Sequence, residues 1–465
     1  MLESTLTVWL ALMTQAPPPS PAPPPADAPI LLAADEGEEP DVDEGYGGDE
    51  SDDPGAEPDE AGVPDGAGGG DNVSPEARPY VDAPYARARF ALGEGLSFDF
   101  AEGRHHLFIG GVIQPSWAVE VGEDDTNQIL SARGAYLRLG ADLYGGCVAM
   151  FVQADFVRAE PLLDAWVAWR PAPWVALTLG QRLTTTLGRE SQQQESQLVF
   201  PDRSLLARTF SDTGRELGLF VDFEIPLGPA LVRPQLSMTS GDGRNSFGAD
   251  SRDRDIGGLK WGARLDVLPL GDFSEAGRGT VVDLAHETTP KLALGVAYSY
   301  NDGASEARGQ GHGAFALYDQ FGDPQQPDYR QLYADLLVKF QGASLLVEYA
   351  NASATSLEGT FVDEGANTFL VRQQIAEYLA LGDGLNVQLG YYFDFGLGVD
   401  VRYGSVTAEF ADNGASVVKD ATSLAANLAW YVSGQALKVQ LGFEHLDVDG
   451  GATTDTAELL LQLAL

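Results

Sequence analysis

The stretch ELGLFVDFEI, residues 216–225, decides the fold class. Leu217, Leu219, Val221, Phe223 and Ile225 fall on one face, with Glu216, Gly218, Asp222 and Glu224 on the other. A period of two describes a β-strand with one apolar face. LKVQLGFE at 437–444 repeats the pattern, with Leu437, Val439, Leu441 and Phe443 against Lys438, Gln440, Gly442 and Glu444. LGVDVRY at 397–403 sets Leu397, Val399, Val401 and Tyr403 against Asp400 and Arg402. Such strands also suit a soluble sandwich. Three features favour a membrane barrel. The runs approach the ~9–11 residues a tilted strand needs to cross a bilayer. Their second face carries charges and glycines, as a watery lumen requires. Long polar loops also alternate with very short turns.

Counting outward by that alternation places strands near 105–121, 129–143, 147–157, 161–170, 174–186, 214–225, 230–240 and 258–268. The second half adds 290–301, 328–340, 343–353, 384–394, 396–409, 419–432, 436–448 and 455–465. The expected fold is all-β, a 16-stranded antiparallel transmembrane barrel over residues 95–465. An even number lets both ends share the periplasmic side. Short turns fall on one side: Gly145-Gly146, Pro171 to Pro173, Pro226 to Pro229, Gln341-Gly342 and Ser433 to Gln435. Long loops fall on the other, at 187–213, 241–257, 302–327 and 354–383. Residues 369–381 (FLVRQQIAEYLAL) read equally as a helix in a loop or as another strand, which would move the count towards 18. The turn at 269–289 is long for its side.

The preceding chain has a different texture. Residues 17–79 are rich in Pro, Ala, Gly and acids, and no Lys or Arg occurs before Arg78. Little apolar surface and much charge predict an unstructured segment, assigned to 17–94, on the periplasmic side. Residues 5–13 (TLTVWLALM) resemble the core of a signal peptide over 1–16, with Ala16 as cleavage residue, although Glu3 and the lack of a basic residue are atypical. The net charge of −41 argues against nucleic acid as a partner. No run of about 20 apolar residues predicts a transmembrane helix. The mean hydropathy of −0.12 fits a barrel and a soluble protein equally. The lone Cys147 excludes an internal disulfide framework and a multi-cysteine metal site.

Several stretches resemble the phosphate-selective porin O and P family. DAWVAWRPAPWVALTLGQRL carries Asp164, Ala165, Trp166, Arg170, Pro171, Pro173, Trp174, Gly180 and Gln181. FPDRSLLARTFSDTGRELGLF carries Arg203, Ser204, Leu205, Gly214, Arg215, Glu216 and Gly218. PLGDF at 269–273 and PKLALGVAYSYND at 290–302 are similar to the family's middle section. WYVSGQALKVQLGFEHLDVD and the terminal ELLLQLAL resemble its last strands. The resemblance implies a trimeric 16-stranded outer-membrane porin with an inward-folded third loop narrowing the pore. Here that loop is 187–213, with Arg189, Glu190, Glu195, Asp202, Arg203 and Arg208 as constriction candidates.

The sequence departs from the family in two ways. Phosphate-selecting members line the lumen with a ladder of basic residues, which cannot be placed here residue by residue. The inward basic candidates are Arg138, Arg170, Arg182, Arg233, Lys260, Arg264, Lys339, Arg402 and Lys438. The same face offers Asp142, Asp155, Asp164, Asp222, Glu224, Asp266, Asp335, Glu348, Asp400 and Glu444. Interleaved signs predict at most a weak anion preference. The chain also ends in Leu465, where the family usually ends in an aromatic residue.

Other chemistry has weaker support. His105 and His106 are adjacent on a strand and point to opposite faces, so they do not readily share a metal. DVDGGATTDTAE at 447–458 has acids at EF-hand-like spacing but lacks the required glycine and lies in a predicted hairpin. No GxSxG, HExxH, Walker loop or CxxC occurs. His286 and His445 have no serine that the sequence pairs with them. Neither cofactor nor metal is therefore expected, and no enzyme. The sequence points to passive diffusion of small hydrophilic solutes, phosphate-like anions among them. Its partners would be outer-membrane lipid and the solutes or inorganic anions themselves. A plugged structural or adhesive barrel is the alternative. Arg203 and Arg215 are equally suited to fixing the loop by ion pairing and to touching solute.

Overall fold

The alternating faces do become wall strands. A computed structural model describes residues 87–123, 125–245, 257–311, 313–451 and 453–465. Its strands are β1 (Arg87–Ala91), β2 (Gly95–Phe100), β3 (His105–Val121), β4 (Thr126–Leu143), β5 (Val148–Asp155), β6 (Leu162–Ala172), β7 (Val175–Leu183), β8 (Arg215–Phe223), β9 (Ile225–Leu227) and β10 (Ala230–Thr239). They continue as β11 (Lys260–Leu268), β12 (Lys291–Asn301), β13 (Asp328–Phe340), β14 (Ala343–Thr355), β15 (Gly382–Tyr392), β16 (Leu397–Ala408), β17 (Ala421–Gln435), β18 (Leu437–Val448) and β19 (Thr454–Ala464). Each wall strand pairs antiparallel with the next, and β19 returns to β3 from Asp455↔Val121 to Ala464↔Val112. β9 continues β8 past Glu224 along the same partner, β10. The wall is therefore a closed barrel of 16 strands, as expected. Residues 369–381 add no strand. Arg372–Glu377 is a 3₁₀ helix tucked into a loop, with Ile375 and Ala376 buried.

The outward face is apolar all round. Leu179, Val401, Leu428 and Leu441 are exposed at mid-strand. Tyr144, Trp169, Trp174, Phe395 and Trp430 ring the short-turn rim, and Trp117, Trp261 and Tyr298 lie towards the long-loop rim. An apolar band between two aromatic girdles fits the bilayer. Val401→Arg at mid-band of β16 is expected to cost about 2–4 kcal/mol of stability. Urea titration of the protein folded into lipid vesicles reads this directly.

Three features differ from the sequence reading. First, β1 lies inside the stretch to residue 94 assigned as unstructured. Arg87–Ala91 pairs with Gly95–Asp99, and β2 pairs with the first residues of β3, Leu96↔Ile109 to Phe100↔His105. Gly93 and Gly95, at φ +85° and +79°, make the tight turn that this hairpin needs. The hairpin takes over where β19 ends, since Gly93 N–H donates to the Ala464 carbonyl at 3.0 Å. The signal-peptide stretch 1–16 and residues 17–86 lie outside the described residues. Second, the long turn 269–290 folds into the barrel. Phe273, Val281 and Val282 pack with Val199 and Phe200 of the 187–213 loop and with Leu337, Leu346 and Tyr431 of the wall. Third, the lumen is not polar throughout. Towards the loop side, Leu187, Leu205, Leu206 and Phe210 pack on Tyr329 and Tyr333 with Leu317, Leu370 and Leu379 of two other loops. Both apolar clusters lie against β11–β18.

Candidate functional site: the lumen constriction

The loop after β7 crosses the lumen because its sequence supplies an apolar anchor and charged flanks. Its helix α1 (Leu205–Phe210) is capped by Ser204 Oγ, which accepts from Ala207 N–H at 3.2 Å. All six helical residues are buried, and Leu205, Leu206 and Phe210 carry the apolar contact. Six residues form too short a helix to stand alone, so tertiary packing holds it.

Ion pairs to the wall fix the rest. Arg189 donates to Asp335 (2.7 Å) and Asp266 (2.6 Å). Arg208 forks onto Glu444 at 2.8 and 3.0 Å. Arg215, fully buried on β8, forks onto Glu195 at 2.6 and 3.1 Å and reaches Asp164 at 3.3 Å. Arg402 sits 3.4 Å from Glu190 and 4.3 Å above the Phe200 ring. Glu190 also accepts from the Ser204 hydroxyl, and its own N–H donates to Glu348 at 2.9 Å. Planar guanidinium forks give geometry as well as energy. Arg203 stays within the loop, donating to the carbonyls of Glu190 (2.8 Å) and Gln193 (2.9 Å). Of the two roles open to Arg203 and Arg215, these contacts are ion pairing and loop fixing.

Burial alone would push the Glu195 carboxyl up, but Arg215 and then Arg203 hold it well below the usual carboxylate range. Burial opposes Asp202 likewise, and Arg133 and Arg208 outweigh it. Burial would lower Arg208, yet Glu444 and Asp202 raise it above its ordinary value. A depressed carboxyl contributes stability above its unfolded value, lost only as pH falls through its folded value. The loop should therefore stay docked down to about pH 4, the unperturbed carboxylate range. Amide hydrogen exchange of residues 187–213 should match between pH 7 and pH 5, and protection should fall only in stronger acid.

The inward basic set is already occupied. Arg182 pairs with Asp222 (2.7 Å), Lys260 with Glu216 (2.6 Å), and Arg264 with Asp335 (2.6 Å) and Asp266 (2.8 Å). Arg233 bridges Glu224 and Asp272. Arg170 lies half-exposed at the turn-side mouth with Asp142, 3.1 Å away. Arg138 meets amide and hydroxyl oxygens, of Gln153 and Ser196, both at 2.9 Å. Lys438 donates to the carbonyls of Leu198 (2.8 Å) and Ser196 (3.3 Å). Lys339 donates to those of Gly277, Thr280 and Val282 of the inward turn. Among the described residues, Glu348 and Asp400 are the expected inward acids with no cation in ion-pair range. No continuous basic ladder is left free to attract anions.

Sequence reasoning missed several contributors. Arg133 reaches Glu458 (2.6 Å) and Asp202 (3.7 Å). A register shift at Gln114/Pro115 breaks the alternation there, so parity gave no warning. Asn427 and Gln462 bind loop carbonyls of Val199 and Ser196. His106 faces Asp99 while His105 meets Tyr144, on opposite sides of β3. Cavities flank the loop. One, of about 360 Å³, is lined by Arg138, Gln153, Gln194, Phe108 and the β1–β2 hairpin. Another, of about 230 Å³, lies between the loop and the inward turn.

No known protein family matches the chain, and no curated protein matches it. Among solved structures, the outer membrane channel DcaP of Acinetobacter baumannii is similar at 12% identity and TM-score 0.48, over 78% of this chain and 99% of that one. A loop L8 deletion mutant of OmpT, an outer membrane protein of Vibrio cholerae, is similar at 12% identity and TM-score 0.47, over 77% and 99%. The outer membrane protein opdK of Pseudomonas aeruginosa is similar at 14% identity and TM-score 0.40, over 77% and 98%.

Proposed function

We propose that the chain is an outer-membrane diffusion channel of low conductance for small hydrophilic solutes. The carrying observation is the loop 187–213, which crosses a closed transmembrane barrel and is flanked by cavities whose walls include Arg138, Gln153, Arg189 and Asp266. Passage is by size exclusion and the local field, with no chemical step. The constriction residues are Arg189, Glu190, Glu195, Asp202, Arg203 and Arg208, and the flanking wall supplies Arg138, Arg264, Arg402 and Lys438. Ion pairing neutralises the constriction arginines, Arg264 and Arg402, and the charges of Arg138 and Lys438 stand against those of Glu348 and Asp400, so we propose weak ion selectivity and no phosphate specificity. The N-terminal acidic segment lies in the periplasm in this reading, and the barrel assembles as a trimer.

The rival plugged barrel is favoured by one observation, the two apolar clusters that fill the lumen beside β11–β18. Liposome swelling separates the two. Vesicles holding the folded protein should swell in glycerol or arabinose faster than empty vesicles, and equal rates would support the plug. Reversal potential in a KCl gradient should lie near zero. A strongly anion-selective value, removed by Arg189→Ala, would show that the wall pairs do not cancel its field.

A further inference from the structure

We infer that the cavity of about 360 Å³ beside β3–β6 is a binding station for a ring solute with a flat C–H face and a hydroxylated rim, the chemistry of a pyranose sugar. The inference rests on the channel reading and names the solute class that this station takes. Every inward side chain of β13, from Tyr329 to Lys339, is buried, and so is every inward residue of β16, from Gly398 to Ala408. On β3, β5 and β6, by contrast, the inward residues His106, Phe108, Phe151 and Trp166 are only half-buried. Lumen space therefore remains against these strands, between loop 187–213 and the β1–β2 hairpin. Its volume lies within the range of ligand clefts.

The decisive feature is a strip of rings. Register sets Phe108 opposite Gly140, Gly140 opposite Phe151, and Phe151 opposite Trp166, so these positions share the inward face. Glycine at 140 closes the strip, because a Cβ there would lie 2.0 Å from the Phe108 ring. The rings of Phe108 and Phe151 sit 6.1 Å apart and those of Phe151 and Trp166 5.8 Å, tilted by 31° and 38°. Water covers such rings poorly, and their negative faces attract the C–H face of a ring solute. Polar groups flank the strip on both sides. Towards the loop, Arg138 donates through Nε and Nη2 to Gln153 and Ser196, and among the described residues its Nη1 has no protein acceptor. Gln194 lines the same wall with its amide oxygen taken by Arg215 at 3.4 Å, which leaves its N–H donors. Towards the turn-side mouth, His106 and Asp142 stand opposite one another in register, with His106 held by Asp99 at 2.9 Å. An arene would cover the strip and bring a C–H rim to both polar edges. An aromatic anion would meet Arg138 and so only one edge. A pyranose lays its C–H face on the rings, and its hydroxyls accept from Arg138 and Gln194 and donate to Asp142.

Titration calorimetry on the refolded full chain, with planar-bilayer recording in KCl alongside, tests this. Methyl β-D-glucopyranoside is the probe. Sorbitol, which has the hydroxyls without the ring, and sodium benzoate, which has a flat face and one charged edge, are the controls. The glucoside should bind more tightly than either control and lower the single-channel current. Phe151→Leu removes the middle ring and should weaken glucoside binding about fivefold, the size of one aromatic contact. Arg138→Met should weaken it about tenfold, the size of one hydrogen bond to a charged group. Conducting protein that binds no glucoside, or binds sorbitol or benzoate as tightly, overturns the proposal. So does glucoside binding unchanged in both variants. Glucoside bound by protein that carries no current would uphold the station and sink the channel.

Discussion

Replacing residues 189–208 by a short glycine linker is expected to raise single-channel conductance severalfold without unfolding the barrel. The segment carries Arg189, Arg203 and Arg208 against Glu190, Glu195 and Asp202, so its removal leaves the wall's charge balance unchanged. The arginines it abandons keep carboxylate partners in the wall, while Lys438 loses the Ser196 and Leu198 carbonyls to water. Arg133 keeps Glu458 at 2.6 Å, Arg215 keeps Asp164 at 3.3 Å, and Arg264 keeps Asp335 and Asp266. Arg402 already lies 3.7 Å from Glu444. No carboxylate in these pairs is stranded, which is the usual reason such a deletion fails. What is lost is the apolar anchor of α1 and, with it, the object that narrows the lumen. Conductance unchanged by this deletion would mean that another element limits the pore, and the inward turn 269–290 would be first in question.

Arg215→Ala is expected to have the largest effect on stability of any single change at the constriction, about 3–5 kcal/mol. The side chain is fully buried and contacts Glu195, Asp164, the Gln194 amide and the Thr213 carbonyl. Its removal leaves the buried Asp164 with no cation and Glu195 with Arg203 alone, at 3.4 Å. Arg215→Lys should recover only part, because an ammonium cannot fork onto Glu195 and still reach Asp164. Equilibrium unfolding in urea gives the energy, and open-channel current noise should rise as the loop loosens. Loss below about 1 kcal/mol, the value of an exposed pair, would mean that water reaches this network.

The wall of this molecule was legible because membrane strands must obey two constraints together. Each keeps a strict period and a minimum length, and ELGLFVDFEI, LGVDVRY and LKVQLGFE satisfy both. The strand at 105–121 follows its expected bounds to the residue, as does that at 328–340. The hairpin β1–β2 escaped notice because RARFA follows a long acidic stretch, and composition averaged over that stretch hides five residues. The filling of the lumen was signalled more faintly. On β13, Tyr329, Tyr333 and Leu337 share the inward face with Gln331, Asp335 and Lys339. Apolar residues on both faces of a strand mean that both are covered. VVDL at 281–284 carried the same message for the turn, since apolar residues in a long turn need something to pack on. The candidate site was legible as a segment and not as contacts. Interleaved charges foretold compensation, but which arginine meets which carboxylate depends on distances across the lumen that no local pattern encodes. Arg133 is the clearest case, because a single bulge moved it out of the parity that the reading relied on.

The central claim is that a clamped loop narrows a barrel that still conducts. The most direct test is single-channel recording of the refolded full chain in planar bilayers with KCl on both sides. The account predicts small, discrete current steps that grow when residues 189–208 are replaced. Intact folded barrels that carry no current, both as the full chain and after that replacement, would contradict it.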